Sequence, residues 1–461
     1  MKVDSNFSLL FKANKPMLTE SSHAVRDVFT PTRPARIAFV EREEVNDKLV
    51  NALRTPGKQL VVYGHSGTGK TTLLVNKLHQ LYEDHITTRC MKGLKFEQLL
   101  LDAFDQLEPF YVADLTSTRK TSTAVELGAS YRALSAKISH TTSTETGTKS
   151  VRVLPPQLTA QALGKFLGAA KACWVLEDFH KIDVSEKAQL SQLMKVFMDM
   201  SDEYTDLKII ALGAVDTARQ VVEYDDEMRN RVAEISVPLM SPEEITAIIR
   251  KGEAALNIVF SPNIVNLISR HSNGLASVCH HLCLNMCDAA GIDGTVTGKA
   301  YQFTSANCQE AVKAYVNEAS DSIKSAFDKA LKPRRNGVNN AELILKALSA
   351  EKEDGAARFD ILKRVRTVSV GYQDQRLKHN LNKLCEPSYG SILRYEANSA
   401  RYAFSDPIYR AYALAIFYPS SPLPQQNASE VDIDQFEKML TSLLKDKLKL
   451  HFKIAREDTD N

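Results

Sequence analysis

The stretch Gly64-His65-Ser66-Gly67-Thr68-Gly69-Lys70-Thr71 constrains this chain more than any other feature. It matches G-x-x-x-x-G-K-[ST] in full. The apolar run Leu60-Val61-Val62-Tyr63 precedes it, and Leu73, Leu74 and Val75 follow, so it joins a strand to a helix. Glycines in such a turn let backbone N–H groups point inward as a concave anion nest. The helix opening near Lys70 presents its positive end to the same point. Lys70 brings an ammonium to the β- and γ-phosphates of a nucleotide, and the Thr71 hydroxyl is placed to ligate Mg²⁺. The expected phosphate-binding set is Gly64 to Thr71 with Thr72 beside it. A glycine turn that holds no ligand is the competing reading.

Cys173-Trp174-Val175-Leu176 and Ile209-Ile210-Ala211-Leu212 are further continuous apolar runs spaced by helical stretches. This predicts an α/β core with a parallel sheet. The 461 residues predict roughly two to four domains. We divide them into an extension at 1–35, a core at 36–240, a helical lid at 241–312, a winged-helix domain at 313–420 and a tail at 421–461. The lid begins at Ser241-Pro242-Glu243-Glu244, a cap with proline at the first helical position and acids at the positive dipole end. Further lid helices are expected near Ser261-Pro262 and after Gly274. Within the core, Val125, Leu127, Ala129 and Tyr131 alternate as a strand does, and the polar residues 139–150 read as an exposed, mobile insertion.

A net charge of +2, from 58 basic and 56 acidic residues, argues against wrapping nucleic acid by bulk charge. No apolar run approaches the ~20 residues that cross a bilayer, and no secretory signal follows Met1. No membrane association and a cytoplasmic, reducing setting are expected, which suits seven scattered cysteines. Cys279, Cys283 and Cys287 fall on one drifting helix face with His280 and His281 between them. They are either buried thiols packing a helix or ligands of a metal.

Trp174-Val175-Leu176-Glu177-Asp178 ends an apolar run in two acids, a second site where one carboxylate could hold magnesium and the other polarise water. Two acids that merely cap a turn are the alternative. At this point the chain resembles the AAA+ and STAND superfamily of P-loop ATPases, whose second motif ends in Asp-Glu. Here the order is reversed, so the resemblance gives Glu177 the metal role and Asp178 the base role. A misplacement near 1 Å can cost about a hundredfold in rate, so slow hydrolysis is expected. Phe39-Val40-Glu41-Arg42-Glu43 is similar to the box that approaches adenine in this superfamily, which implicates Val40 and Arg42. The stretch 207–216 resembles the strand of the first sensor, with Asp216 alone able to serve. Met228-Arg229-Asn230-Arg231-Val232, followed by Ile235-Ser236-Val237-Pro238-Leu239, resembles the segment that carries the arginine finger before the last core strand, and Arg231 is favoured over Arg229 as the residue that reaches a γ-phosphate in a neighbouring subunit or across a closed interface. A surface ion pair with Asp225, Asp226 or Glu227 is the other reading. No arginine follows Gly274 in the third lid helix, which leans toward the STAND and origin-initiator side.

Helices followed by the short runs 392–395 and 401–404 look like a winged helix, with 372–385 as its recognition helix. Leu377, Leu381 and Leu384 would face inward; Arg376, Lys378, Asn380 and Lys383 lie off that stripe, flanked by Arg394 and Arg401. Such a face could meet DNA, or the domain could hold the ATPase closed. In the tail, 431–447 has helical spacing and Leu448–Ile454 strand spacing, fit to add a strand to a partner or to pack on the chain itself. The resemblance thus implies an ATP- and Mg²⁺-binding switch that hydrolyses slowly and controls a homo-oligomer or effector protein, in a bacterial defence or mobile-element setting. The alternatives are a DNA-loading, replication-initiation or transposition-type ATPase, and a scaffold that holds ATP without turnover.

Overall fold

The computed structural model describes residues 22–82, 84–107, 110–115, 148–152, 159–214, 228, 230–332 and 339–419. Its centre is a five-stranded parallel sheet of β1 (Gln59–Tyr63), β2 (Asp84–Arg89), β5 (Ala172–Glu177), β6 (Ile209–Gly213) and β7 (Val232–Ser236), in the order β2-β5-β6-β1-β7. Successive side chains of a strand point to opposite faces. Cys173 and Val175 of β5 therefore join Leu60, Val62, Ile210 and Leu212 beneath helices α2 (Glu43–Arg54) and α3 (Lys70–Leu81). Trp174 and Leu176 turn the other way, onto α4 (Phe96–Leu107), α5 (Ala160–Ala169) and α6 (Val184–Asp199). Helices on both faces are why the three central strands read as unbroken apolar runs.

Two strands differ from expectation. β2 was not legible as a strand, because Asp84-His85-Ile86-Thr87-Thr88-Arg89 is polar; it is an edge strand, held by parallel pairing to β5 from Asp84↔Ala172 to Arg89↔Glu177. The last core strand is Val232–Ser236 rather than 235–239. The segment 148–150, expected within a mobile insertion, opens β4 (Thr148–Arg152), which pairs antiparallel with β3 (Phe110–Leu115). The expected strand 125–131, residues 139–147 and the tail lie outside the described residues.

The lid packs α7 (Pro242–Leu256), α8 (Pro262–Ser272), α9 (Ala276–Ala289) and α10 (Ser305–Glu318) around one core, with a short parallel pair of β8 (Ile258–Val259) and β9 (Tyr301–Gln302). Ser241 caps α7 in a full capping box with Glu244, and Ser261 caps α8, at the expected starts. Cys279, Cys283 and Cys287 are fully buried in this core, with burial raising the thiol pKa of Cys287 to about 12, so they pack as apolar groups. Among the described residues no cluster of three or more His, Cys, Asp or Glu is placed to hold a metal.

Residues 23–29 belong to this body too. Val25, Val28 and Phe29, in and beside the short helix α1 (Val25–Val28), are buried in the lid core. The Val25 N–H donates to Asp293 O at 2.9 Å.

Beyond α10, which runs across the boundary expected at 312/313, comes a third body. It has α11 (Asp321–Leu331), α12 (Asn340–Ser349), β10 (Ala356–Ala357), α13 (Arg358–Val368), α14 (Asp374–Leu384), β11 (Leu393–Glu396), β12 (Arg401–Phe404) and α15 (Pro407–Phe417). β11 and β12 form an antiparallel hairpin, with β10 on the far side of β12. Leu377, Leu381 and Leu384 of α14 are buried. Helix α15 joins this body to the lid: Asn273 Nδ2 donates to Pro407 O at 2.9 Å, Arg410 bonds the Asn273 side chain, and His271 Nε2 lies 3.1 Å from Tyr418 O. No described helix is long and apolar enough to cross a membrane.

Candidate functional site

β1 ends at Tyr63 and the chain turns at once through the glycine loop. Gly64 has φ +154° and a Cβ there would lie 2.3 Å from Val237 O, so the close passage of the chain leaving β7 demands glycine. Gly67 has φ +82°, and its missing Cβ leaves room for Ser277 of the lid, whose N–H donates to Gly67 O at 3.2 Å. Lys70 folds back over the loop, its Nζ donating to Gly64 O at 2.9 Å and His65 O at 2.7 Å. Thr68 Oγ1 closes the turn onto His65 O at 3.0 Å. The lysine thus satisfies loop carbonyls. Burial lowers its pKa, partly opposed by Asp178 and Asp406.

A cleft of about 890 Å³ opens above this loop, between core and lid. Every residue from Gly64 to Thr72 lines it, as do Val40, Arg42, Glu177 and Asp178. The two acids sit where β5 ends. Glu177 meets Arg89 from the end of the neighbouring β2 at 3.4 Å. Asp178 adopts a left-handed conformation, φ +56° and ψ +33°, at the head of a 3₁₀ turn 179–181, and its Oδ2 accepts from Lys181 Nζ at 2.7 Å. Left-handed backbone in a non-glycine residue costs roughly 1–2 kcal/mol and is a recurrent feature of functional sites. Both acids are therefore in the cleft, and each is ion-paired there.

Arg42 lines the cleft but is spent elsewhere. It is buried, with Nε donating to Glu244 Oε1 at 3.0 Å and its other nitrogens to Pro238 O and Leu239 O. Arg231 stands apart. Its carbonyl accepts from Gln59 N at the start of β1, at the end of the sheet opposite the glycine loop. Its guanidinium meets Asp199 at 3.0 Å. It lies outside the cleft of its own chain. Asp216 and Arg229 lie outside the described residues.

Among the cleft residues that sequence reasoning missed, four stand out. Ser277 and His280 come from α9, where an arginine was sought. Thr30 comes from the segment following α1, and its N–H donates to His280 Nδ1 at 3.1 Å. Asp406 comes from the third body, where Asp406-Pro407 signals only a helix cap, a role it also fills by accepting from Ile408 N at 2.9 Å. Its charge acts on both Lys70 and His65.

The oxygen donors at hand suit a small hard cation: Thr71, Glu177 and Asp178 all line the cleft. Mg²⁺ keeps several waters and takes only one or two carboxylates alongside phosphate oxygens, so this set fits it.

Residues 38–201 match the AAA ATPase domain family. No curated protein matches the chain in sequence. Among solved structures, the Walker-type ATPase paby2304 of Pyrococcus abyssi is similar at 14% identity and TM-score 0.49, with 84% of this chain and 99% of that chain covered. The ORC2 protein of Aeropyrum pernix in its ADPNP–ADP complexes gives 14% identity and 0.45, over 85% and 97%. Cdc6p from Pyrobaculum aerophilum gives 15% identity and 0.40, over 86% and 99%. Segment 38–201, which carries the glycine loop and both acids, thus bears the signature of an AAA ATPase domain.

Proposed function

We propose that this chain is an ATP-dependent molecular switch, in which the nucleotide in the cleft sets the position of the lid and the third body and so controls assembly with further copies or with an effector protein. The observation that carries the reading is the make-up of the cleft wall: core loop, lid and Asp406 of the third body all contribute to it. A triphosphate seated on Gly64–Thr72 brings its negative charge beside the Asp406 carboxylate and draws Lys70 off its loop carbonyls. Such a ligand shifts an equilibrium only by its differential affinity for the two states, and going from 1:99 to 99:1 takes about 5.5 kcal/mol.

Thr71 and Glu177 would hold magnesium with the phosphates, and the ion when bound neutralises charge on the β- and γ-oxygens. Asp178 would orient and deprotonate the attacking water, for which Lys181 must first release its carboxylate. That prior ion pair, with the Glu-Asp order, supports slow turnover. Arg231 would serve only a neighbouring copy, after leaving Asp199. Setting aside Lys70→Ala as the nucleotide-free control, gel filtration with and without ATP tests the switch. A mass or shape change that ATP produces and Asp406→Asn diminishes is expected; an unchanged profile across micromolar concentrations would refute it.

DNA contact through α14 is the second reading. Its cations are largely engaged within the third body: Arg376 stacks on Tyr372 at 5.7 Å, Lys383 on Tyr389 at 5.6 Å, Arg394 meets Glu396 and Arg401 meets Asp354. ATP-dependent anisotropy on a labelled duplex at low salt would restore this reading.

A further inference from the structure

We propose that Thr30 and His280 form a base-reading pair at the end of the cleft away from the phosphates, and that they select adenine over guanine. The inference rests on the nucleotide reading above and concerns the base alone.

The place of the pair follows from α9. Ser277, in its first turn, bonds the glycine loop at Gly67. His280 is three residues on, roughly 4.5 Å further along the helix and on the same face, which moves from phosphate toward sugar and base. The cleft lining also includes the apolar Pro31, Ala38, Val40, Met240 and Ile248, the last four packed with the lid core, which suit a planar ring.

The chemistry of the pair is fixed by its neighbours. Phe29 is fully buried, packed where a Cβ on Gly252 would meet its ring at 2.2 Å, and edge-on to His280 at 6.2 Å. This anchors Thr30, whose N–H donates to His280 Nδ1 at 3.1 Å. An imidazole that accepts at Nδ1 carries its proton on Nε2. Burial pushes its pKa down to about 4, so it stays neutral at physiological pH and Nε2–H is a fixed donor. His280 is only 4% exposed and lines the cleft. Thr30 also lines the cleft, and its Oγ1 is buried without a hydrogen-bond partner. Buried polar atoms are ordinarily satisfied, so an orphan hydroxyl on the residue that bonds this imidazole marks a place for a ligand's polar edge.

Adenine presents acceptor N1 beside its N6 amino donor, the complement of this donor and hydroxyl. We assign N1 to His280 Nε2–H and N6 to Thr30 Oγ1. Guanine sets its N1–H donor against the imidazole N–H, and leaving a built polar contact unpaired is what gives such sites their discrimination.

The test is competition of a ribose-labelled ATP from the full chain by ATP, GTP, 7-deaza-ATP and dATP. ATP should displace it at least about tenfold better than GTP, and 7-deaza-ATP, which keeps N1 and N6, as well as ATP. His280→Phe and Thr30→Val should each reduce the ATP/GTP ratio several-fold, while His280→Gln, which keeps an N–H donor, retains most of it. Ratios are insensitive to the fraction of folded protein, so a destabilised variant still reports. A wild-type ratio near one, ratios unchanged in both variants, or a change in ATP/dATP in place of ATP/GTP would overturn the assignment. Failure of the wild type to retain labelled nucleotide at all would instead remove the nucleotide reading on which it stands.

Discussion

Gly67→Ala puts the contact between phosphate loop and lid to a quantitative test. The backbone at residue 67 has φ +82°, where an added Cβ costs roughly 1–2 kcal/mol from chirality alone. That Cβ would also lie 2.3 Å from Ser277 Oγ, well inside contact distance, with Leu275 Cδ2 at 3.7 Å. The serine oxygen can turn away only by leaving its rotamer, at about 0.5–1.5 kcal/mol, or the lid must back off. Together these give roughly 1.5–3.5 kcal/mol, or about 10- to 400-fold weaker nucleotide binding if the loop relaxes when empty. The two parts separate in a double-mutant cycle. Ser277→Gly added to Gly67→Ala removes the clash and leaves the backbone strain, so about 2- to 12-fold of the affinity should return. Labelled-ATP titration of the four proteins measures this. Affinity in Gly67→Ala equal to the wild type, or no recovery in the double variant, would refute the contact.

Further perturbations bear on the fold around the cleft. His280 has a depressed folded pKa, so its contribution is full above its ordinary value near 6.5 and is lost as the pH falls from there toward about 4. Urea midpoints should therefore fall more steeply over that window in the wild type than in His280→Gln, by on the order of 3 kcal/mol in total; parallel pH curves would contradict this. Arg42→Met strands Glu244 and two carbonyls, and should cost roughly 2–4 kcal/mol of stability, the half-exposed Glu244 keeping it below the figure for a fully buried pair. A loss under about 0.5 kcal/mol in chemical denaturation would show that the pair is dispensable. Thr88→Val removes the acceptor 3.0 Å from Trp174 Nε1, the only tryptophan of the chain, and should destabilise by about 1–3 kcal/mol with a shifted emission; unchanged emission and midpoint would count against that bond.

The sequence made the centre of the molecule legible because its strands are covered on both faces. β1, β5 and β6 are unbroken apolar runs for that reason, and the glycine loop follows from φ values that only glycine takes easily. The edges were not legible. β2 owes its strand to hydrogen bonding with β5 rather than to side chains, and β7 buries only Val232 and Ile235 while Glu234 and Ser236 are exposed, so 235–239 looks more like the strand. Within the cleft, the loop and the two acids are local patterns, readable from a few neighbouring letters. Thr30, His280 and Asp406 come from segments up to 376 positions apart, and nothing in their flanks marks them for one cavity. The fate of Arg42 likewise depends on Pro238, Leu239 and Glu244, some two hundred residues away.

The chain passes between lid and core twice, once on the way from Phe29 to α2 and again from β7 to Ser241. Arg42 sits on the first passage and grips the carbonyls of the second, so the two run side by side like a pair of hinge pins bolted together. A plate held by one pin can wobble in any direction; held by two, it can only swing. In the switch proposed above, opening of the cleft would therefore be a swing about a line passing beside Arg42, and the third body, fastened to the lid through Asn273 and Arg410, would follow the same arc at a longer radius.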